Sequence, residues 1–315
     1  MSIKIISWNL SFGCMASNKN SYKDRSARKI AEYCYEMKID KNYNVCLNNA
    51  VKQLSTRIYD FIGLQEVTNY ELIYKKLKKI HAPYLYTHHR CGIEDMITIY
   101  NSDRFKLDYV TVGGLKKNTR PYQILFLTEI KTNKKFIVMN LHMPHDFRDN
   151  DNIQIYDKNK IKEKVASLLL KQYPASYYNA NLQQNIGYIK HNSDNSKYIN
   201  DFATEFNTII MGDFNDHSNY DLWKGFNPFI SIKNSVIKNI KVNSIIQPPN
   251  TCCVGYNTIR TKKGDDEFYG DYILIDTNKM KFIINNKIPL ALKFYDARLF
   301  PTSDHLPIYS KIIVK

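Results

Sequence analysis

The chain has 315 residues and carries 45 lysine and arginine residues against 30 acidic ones, so its formal net charge is +15. Its hydrophobic share of 43% is enough for a core and argues against disorder along the whole length. No apolar run approaches the ~18–20 residues that span a bilayer, and the N-terminus lacks the apolar region of a signal peptide. We therefore expect an intracellular, cytoplasmic protein with a nuclear location left open. We also expect reduced thiols at its six cysteines, whose spacing does not match a zinc site.

The basic excess predicts a polyanionic partner, because the release of counterions from phosphates favours the binding of basic proteins. The alternative is that lysines on solvated faces only keep the protein in solution. The lysines are spread along the chain, for example at Lys75-Lys76 and Lys262-Lys263, without a dense basic tail. Charge alone therefore indicates a phosphate-bearing partner and nothing finer.

The first half of the chain predicts strands interrupted by two helices. Residues 3–8 are rich in β-branched side chains and predict a strand that ends at Asn9. Apolar residues at helical spacing predict amphipathic helices over 47–59 and 70–80, on either side of a short strand over 61–64. Four strand-like runs separated by polar turns follow, which is typical of an antiparallel sheet. They cover residues 96–100, 105–112, 122–130 and 136–142.

The second half begins with a long polar stretch. Within it, residues 161–170 predict a helix, and residues 173–198 show no period, so we interpret 146–205 as containing an insertion. Further strands are predicted over 208–211, 272–275, 281–285 and 305–314, with the second and third as a pair. Because no repeat and no linker divides the sequence, we expect one domain of mixed α and β over residues 1–315.

Polar side chains stand at the ends of the predicted strands. They are Asn9, Glu66, Asn140, His142, Asp213, Asn215, Asp271, Asp304 and His305. Residues at strand ends can converge on one rim of a sheet, where ligands are usually bound. Acids, imidazoles and amides together suit Mg²⁺, a general base and the stabilisation of phosphate charge.

Each of these residues also has a purely structural interpretation. Glu66 fits a turn or cap, and His142 fits a hydrogen-bonded core histidine. Asp213 and Asn215 fit an Asx-turn, and Asp304 fits an N-cap or turn. It is the joint pattern and its order that favour a functional site.

In this order the pattern resembles the endonuclease/exonuclease/phosphatase superfamily, whose fold is shared by pancreatic-type deoxyribonuclease and abasic-site endonucleases. The matching blocks are Ser7-Trp8-Asn9, Leu64-Gln65-Glu66, Asn140-Leu141-His142, Gly212-Asp213-Phe214-Asn215, Asp271-Tyr272-Ile273-Leu274 and Ser303-Asp304-His305-Leu306-Pro307. The resemblance implies a four-layer α/β sandwich, with two mixed β-sheets packed face to face, helices outside and the site at one edge.

The resemblance implies a divalent cation, Mg²⁺ or Mn²⁺, at the site. Glu66 is its expected ligand, with Asn9 beside it at the metal and Asp304 as a further or alternative ligand, so that the expected metal site is Asn9, Glu66 and Asp304. Asn9 and Asn140 are also expected among the substrate-binding residues.

The resemblance also implies the catalytic roles. Asp213 is expected to orient or deprotonate the attacking water. Asn215 and His142 are expected to hold phosphate oxygens. His305 is expected to contact phosphate or exchange protons, with Asp271 fixing its orientation.

Other residues have weaker signals. Arg120 is interpreted either as a bidentate phosphate ligand or as a turn residue. The segment His88-His89-Arg90 is interpreted as a basic tip at a nucleic acid or as a solvated loop. His145 and His217 are either near the site or structural, and the tyrosines 84, 86 and 122 either stack on bases or pack.

Two subgroups of the superfamily are disfavoured. The inositol-phosphatase signature would have arginine where Tyr272 follows Asp271, and Tyr-Arg where Asp216-His217 stands. A sphingomyelinase would show a membrane-active element or a secretory signal. We therefore expect a metal-dependent phosphodiester hydrolase, a nuclease or nucleic-acid-processing phosphodiesterase, with nucleic acid as its partner.

Two alternatives stay open. One is a phosphomonoesterase or a small-nucleotide or phospholipid phosphodiesterase of the same superfamily. The other is an inactive nucleic-acid-binding scaffold, which would be expected to lack an equivalent of Glu66, Asp213 or His305. No protein partner or oligomeric state follows from the sequence.

Overall fold

The computed structural model describes residues 1–11, 38–40, 43–81, 83–92, 94–115, 120–143, 205–215, 242–243, 270–287, 302–303 and 305–315. The helix predicted over 161–170 and nearly all of the 146–205 segment lie outside these residues, as do Asp304, His145 and His217. The described elements in chain order are β1 (Ser2–Asn9), β2 (Lys38–Asp40), β3 (Tyr43–Asn44), α1 (Val45–Leu54), β4 (Phe61–Val67), α2 (Tyr70–Ile80), β5 (Tyr84–Cys91), β6 (Glu94–Asn101), β7 (Phe105–Leu115), β8 (Arg120–Glu129), β9 (Lys135–His142), β10 (Phe206–Asp213), β11 (Val242–Asn243), β12 (Asp271–Asp276), β13 (Met280–Lys287) and β14 (Ile308–Val314).

Most of these strands form two six-stranded sheets. The first has the order β13-β14-β1-β4-β6-β5 and the second the order β11-β12-β10-β9-β8-β7, while β2 and β3 pair separately. In the first sheet β1 runs parallel to β4 and antiparallel to β14. In the second, β10 runs parallel to β9 and antiparallel to β12. The expectation of two mixed sheets is confirmed.

The alternation of side chains along the strands explains how the layers stack. On β1, Ile3 and Ile5 belong to the core between the two sheets, whereas Ile6 and Trp8 belong to the core under the helices. This is the two-residue period of a strand that is buried on both faces. Both α1 and α2 pack on the outer face of the first sheet.

Helix α2 begins and ends as predicted, but α1 ends at Leu54 and not at residue 59. The hydroxyl groups of Ser55 and Thr56 donate to the carbonyls of Val51 and Gln53, at 2.7 and 2.8 Å. The Thr56 hydroxyl satisfies the Gln53 carbonyl, which the N–H of Arg57 would bond if the helix continued, and the chain leaves the helix there.

Two interpretations of the strands are wrong. His88-His89-Arg90 is not a loop tip, because it lies within β5, paired to β6. The strands predicted over 272–275 and 281–285 exist, but they do not pair with each other. Instead β12 pairs with β10 in the second sheet and β13 pairs with β14 in the first.

The described cysteines differ in their redox state. Cys91 is a free, buried thiol, as expected. Cys46 is disulfide-bonded, so the expectation of reduced thiols is wrong at this position.

Neither helix in the described part of the chain has the length and apolar character that crossing a membrane requires.

Candidate active site

At one edge of the sandwich, the inward-facing positions of several strands carry polar side chains in place of the apolar ones of the core. On β1, Asn9 shares a face with the core residue Ile5, and on β10 Asp213 shares a face with Met211. Since strand side chains alternate, the last inward position of each strand opens onto the end of the inter-sheet space. The residues placed in this way are Asn9, His142, Asp213 and Asp271. We call this end of the sandwich the catalytic edge.

Glu66 reaches the catalytic edge by a different route. The neighbouring Leu64 faces the helices, so simple alternation would turn Glu66 outward with it. The pairing of β4 with β6 shifts its register between Leu64 and Val67, and Glu66 has a φ of 51°. An irregularity of this kind re-aims a side chain, and a left-handed non-glycine residue stores on the order of 1–3 kcal/mol of strain. The Glu66 carboxylate consequently meets Asn9, whose amide nitrogen Nδ2 donates to Oε1 at 3.2 Å.

Asp213 lies at the centre of the site and is buried. The same Asn9 amide donates to its Oδ2 at 2.8 Å. The Nε2 atoms of His142 and His305 lie 3.5 and 3.8 Å from that oxygen. Burial alone would raise the pKa of Asp213, but the charges of His305 and His142 and the Asn9 hydrogen bond outweigh it and hold the pKa below its usual value. Asp213 is therefore ionised at neutral pH.

The turn after β10 explains the Gly-Asp-Phe-Asn block. Gly212 has a φ of 147°, and a Cβ at this position would lie 1.9 Å from the carbonyl oxygen of Leu141, so only glycine fits. The backbone N–H of Asn215 donates to Asp213 Oδ1 at 2.8 Å, and Nδ2 of Asn215 donates to the Met143 carbonyl at 2.6 Å. The Asx-turn interpretation thus holds, and the turn places Asn215 beside the central carboxylate.

His305 is held from both sides. Its Nδ1 lies 3.0 Å from Oδ2 of the buried Asp271, which leaves Nε2 directed at Asp213. The Ser303 hydroxyl donates to the Asn9 carbonyl at 2.8 Å and accepts the His305 backbone N–H at 3.1 Å. The segment that carries His305 is therefore attached to the strand that carries Asn9.

Glu94 is a site residue that sequence reasoning missed. It begins β6, two residues before the strand predicted from the sequence, and its Oε2 lies 3.0 Å from Nδ1 of His142. Its Oε1 accepts from Nη1 of Arg120 at 2.7 Å. The alternation of side chains along a strand could have indicated Glu94. It lies an even number of residues before the buried Thr98 and therefore on the same face of β6, toward the second sheet.

Arg120 belongs to the site as well. Its Nη1 lies 2.8 Å from Nε2 of His142 and 3.6 Å from Oε1 of Glu66. The guanidinium therefore bridges carboxylates from β4 and β6, and the interpretation of Arg120 as a simple turn residue does not describe these contacts.

Asn140 lies below the site and not on its wall. It is fully buried, its Oδ1 accepts from Gln65 Nε2 at 2.6 Å, and its Nδ2 donates to Thr98 Oγ1 at 3.1 Å. Thr98 in turn donates to Gln123 Oε1 at 2.5 Å. We call Gln65, Thr98, Gln123 and Asn140 the polar floor. It joins β4 and β6 of the first sheet to β8 and β9 of the second, directly below the catalytic edge.

The described site residues form two groups that could hold a metal ion. One is Glu66, Glu94 and His142, and the other is Asp213, Asp271 and His305, with candidate ligand atoms within 4.8 Å of one another in each group. Carboxylate oxygens suit Mg²⁺ and Mn²⁺, and imidazole nitrogen is a common ligand of divalent transition metals. The donor chemistry fits a divalent cation. Asp304, the further expected ligand, lies outside the described residues.

Comparison with known sequences gives one distant relative. No established family profile matches the sequence. An uncharacterised protein of Acanthamoeba polyphaga mimivirus is 26% identical over 320 residues, an alignment that covers 98% of this chain and 50% of that protein. The chain thus spans about half the length of the curated relative it matches.

Solved structures give a similarity over the whole chain. ANGEL2, a 2′,3′-cyclic phosphatase in complex with adenosine-2′,3′-vanadate, has a TM-score of 0.59 at 14% identity, covering 99% of this chain and 95% of its own. An endonuclease/exonuclease/phosphatase from Bacteroides vulgatus has a TM-score of 0.58 at 12% identity, covering 100% of both chains. TDP2 from D. rerio, complexed with a single-strand DNA product, has a TM-score of 0.54 at 14% identity, covering 99% of both chains. Similarity of this extent at such low identity establishes a shared fold.

Proposed function

This chain has the endonuclease/exonuclease/phosphatase fold, and from the side chains at its catalytic edge we propose that it hydrolyses phosphodiesters with a divalent cation. One observation carries the proposal. Asp213 is buried and ionised between two imidazoles, and a single amide, Asn9, joins it to Glu66. A buried carboxylate of this kind can act on a water molecule while neighbouring groups stabilise phosphate charge.

Glu66 would hold the cation, Mg²⁺ or Mn²⁺, because its carboxylate is turned into the cleft by the irregularity in β4. Asn9 positions that carboxylate, since its Nδ2 donates to Oε1 and its Oδ1 accepts from the Ser11 backbone at 2.8 Å. Glu94 and His142 are close enough to share the ion. When bound, the cation supplies positive charge to the phosphate oxygens and activates water.

Asp213 would accept a proton from the attacking water or hold that water in line. Its low pKa keeps it in the form that accepts a hydrogen bond. Asp271 holds the Nδ1 side of His305, so that Nε2 is the nitrogen presented to the cleft. From that position His305 can donate a hydrogen bond to a phosphate oxygen or exchange a proton.

Arg120, Asn215 and His142 would stabilise the charge on phosphate. Arg120 already bridges Glu66 and Glu94, so its charge is held at the site before substrate arrives. Removing one donor of this kind typically lowers the rate by ~10²–10³.

We propose nucleic acid as the substrate, since the formal charge of +15 suits a polyanion. The similarity to TDP2 with a DNA product supports this class. The similarity to ANGEL2 favours one alternative, a 2′,3′-cyclic phosphate of a nucleotide. The two differ in their response to salt, because many backbone contacts make affinity fall steeply with salt and a small substrate makes few.

The test measures hydrolysis of labelled duplex DNA, abasic duplex, RNA and a 2′,3′-cyclic nucleotide by the protein. Each substrate is incubated once with Mg²⁺ and once with EDTA. We expect metal-dependent cleavage of at least one nucleic acid, with a KM that rises with salt. Turnover that survives both Asp213→Ala and His305→Ala would refute the site. An inactive protein with an intact metal site would instead support the scaffold alternative.

A further inference from the structure

A cavity of about 590 Å³ opens at the edge of the sandwich opposite the catalytic edge. It lies at the start of β9 and the end of β14, whereas the catalytic edge lies at the end of β9. His142 lies seven positions after Lys135 on this extended strand, which is ~23 Å at ~3.3 Å per residue. The cavity is therefore separate from the candidate active site.

Lysine dominates the lining of this cavity. Four of its eight lining residues are Lys134, Lys135, Lys279 and Lys315, which we call the lysine pocket. The lining contains one carboxylate, Glu205, which is paired with Lys135. The four ammonium groups outnumber the carboxylates of Glu205 and of the neighbouring Asp276, whose charge acts on Lys279 and Lys315, and this positive excess suits an anion. None of the eight lining residues has an aromatic ring, which disfavours recognition of a base.

Backbone carbonyls hold the ammonium groups in place. Lys134 Nζ donates to the main-chain oxygen of Lys315 at 2.7 Å, and Lys315 Nζ donates to the Thr277 carbonyl at 2.9 Å. Lys279 Nζ donates to the Phe206 carbonyl at 2.6 Å. An ammonium has three N–H donors, so one bond to a carbonyl fixes Lys134 or Lys315 without saturating it.

Lys279 carries a charge that burial disfavours. It is half-buried, and its pKa is lowered by burial despite the opposing effects of Asp276 and Glu205. An anion beside this group would offset the cost of burying its charge.

We propose that the lysine pocket binds phosphate groups and is a second anion site distinct from the catalytic edge. The bound phosphate groups can belong to a nucleic-acid backbone or to a free polyphosphate, because both present the same anionic oxygens to the lysines. The proposal does not rest on the proposed hydrolysis, because binding to the pocket needs neither turnover nor a metal ion.

The test measures binding in EDTA, so that a metal at the catalytic edge makes no contribution. Pyrophosphate is titrated by calorimetry and a labelled single-stranded oligonucleotide by fluorescence anisotropy. The variant is Lys134→Gln/Lys315→Gln. The matched control is Lys75→Gln/Lys79→Gln, which removes the same charge from exposed positions on α2. Circular dichroism verifies that both variants are folded.

We expect the pocket variant to lose roughly tenfold or more in affinity for at least one of the two probes, because each lost donor is a charged hydrogen bond. The control variant should stay close to wild type. The probe that loses affinity identifies the source of the phosphate. For the oligonucleotide, the salt slope should also fall by about one unit for each phosphate contact removed. Equal losses in both variants, or no loss in the pocket variant for either probe, would overturn the proposal.

Discussion

The two edges of the sandwich are formed by the same strands and carry opposite charge. Strand β9 begins at Lys135 in the lysine pocket and ends at His142 in the catalytic edge. The described catalytic edge collects the carboxylates of Glu66, Glu94, Asp213 and Asp271, whereas the opposite edge collects four lysines against one glutamate. At the catalytic edge these carboxylates outnumber the cationic Arg120, so a bound divalent cation is expected to strengthen the attraction of phosphate, whereas the lysine pocket is expected to bind phosphate without a metal ion.

The side chains of the two edges also differ in burial, and substitutions at the two edges are therefore expected to have different effects. Asp213, Asp271 and the polar floor below them are buried. The lysines of the pocket are exposed or half-buried. Changes at the catalytic edge should therefore affect catalysis and folding together, and changes in the lysine pocket should affect binding alone.

Metal removal should produce the largest difference between the edges. EDTA should abolish hydrolysis, because without the metal ion only Arg120 offsets the four carboxylates of the catalytic edge and no metal activates the attacking water. Binding of pyrophosphate to the lysine pocket should be unchanged by EDTA. Hydrolysis assays and calorimetry on the same preparation test both statements, and full hydrolysis in EDTA would contradict the first.

Asp213→Asn should come next, with a loss of roughly 10²–10⁴ in kcat, as for a lost general base. The amide keeps the shape of the carboxylate but cannot take a proton from water. Asp103→Asn, at an exposed position, is the matched control and should leave kcat unchanged. A measured kcat within twofold of wild type for Asp213→Asn would remove Asp213 from the mechanism.

Asn140→Leu should destabilise the fold. It removes one hydrogen-bond partner from Gln65 and one from Thr98 in the polar floor, and each buried group left unsatisfied costs about 1–3 kcal/mol. Urea denaturation measures the change in the free energy of unfolding. A higher KM with unchanged stability would instead support the substrate-binding role that the sequence predicted for Asn140.

Lys134→Gln/Lys315→Gln should have the smallest effect on catalysis. At low salt we expect the KM for a long oligonucleotide to rise a few-fold, roughly 1 kcal/mol or less, and kcat to stay the same. Steady-state kinetics at two salt concentrations measure KM and kcat for the wild type and the variant. A fall in kcat would show that the two edges do not act separately.

Particular residues show how far the sequence could predict this structure. Strand β1 and helix α2 followed from the spacing of their apolar residues. That Asn9, Glu66, Asp213 and His305 belong to one candidate site was predicted from their positions at strand ends and from the family resemblance. The contact between Glu94 and His142 did not, because the two residues lie on different sheets and meet only when the sheets pack.

The wrong prediction of a strand pair also has its origin in contacts between distant residues. The strands over 272–275 and 281–285 were expected to pair because they are neighbours in the chain, yet each has its partner elsewhere. Asn140, for which the sequence predicts substrate binding, also depends on distant contacts. Its side chain belongs to the polar floor, a set of contacts between strands that lie far apart in sequence.

By itself, the sequence determined both helices and most of the longer strands, though not β5, and the polar residues that end those strands, because residue period and local propensity act over a few positions. Only the tertiary structure decided that Glu66 turns into the cleft, that Glu94 and Arg120 join His142, and that lysines from three segments share one pocket. Each of these outcomes depends on which strands pair and how the two sheets pack. Pairing and packing are contacts between distant residues, and no local pattern encodes them.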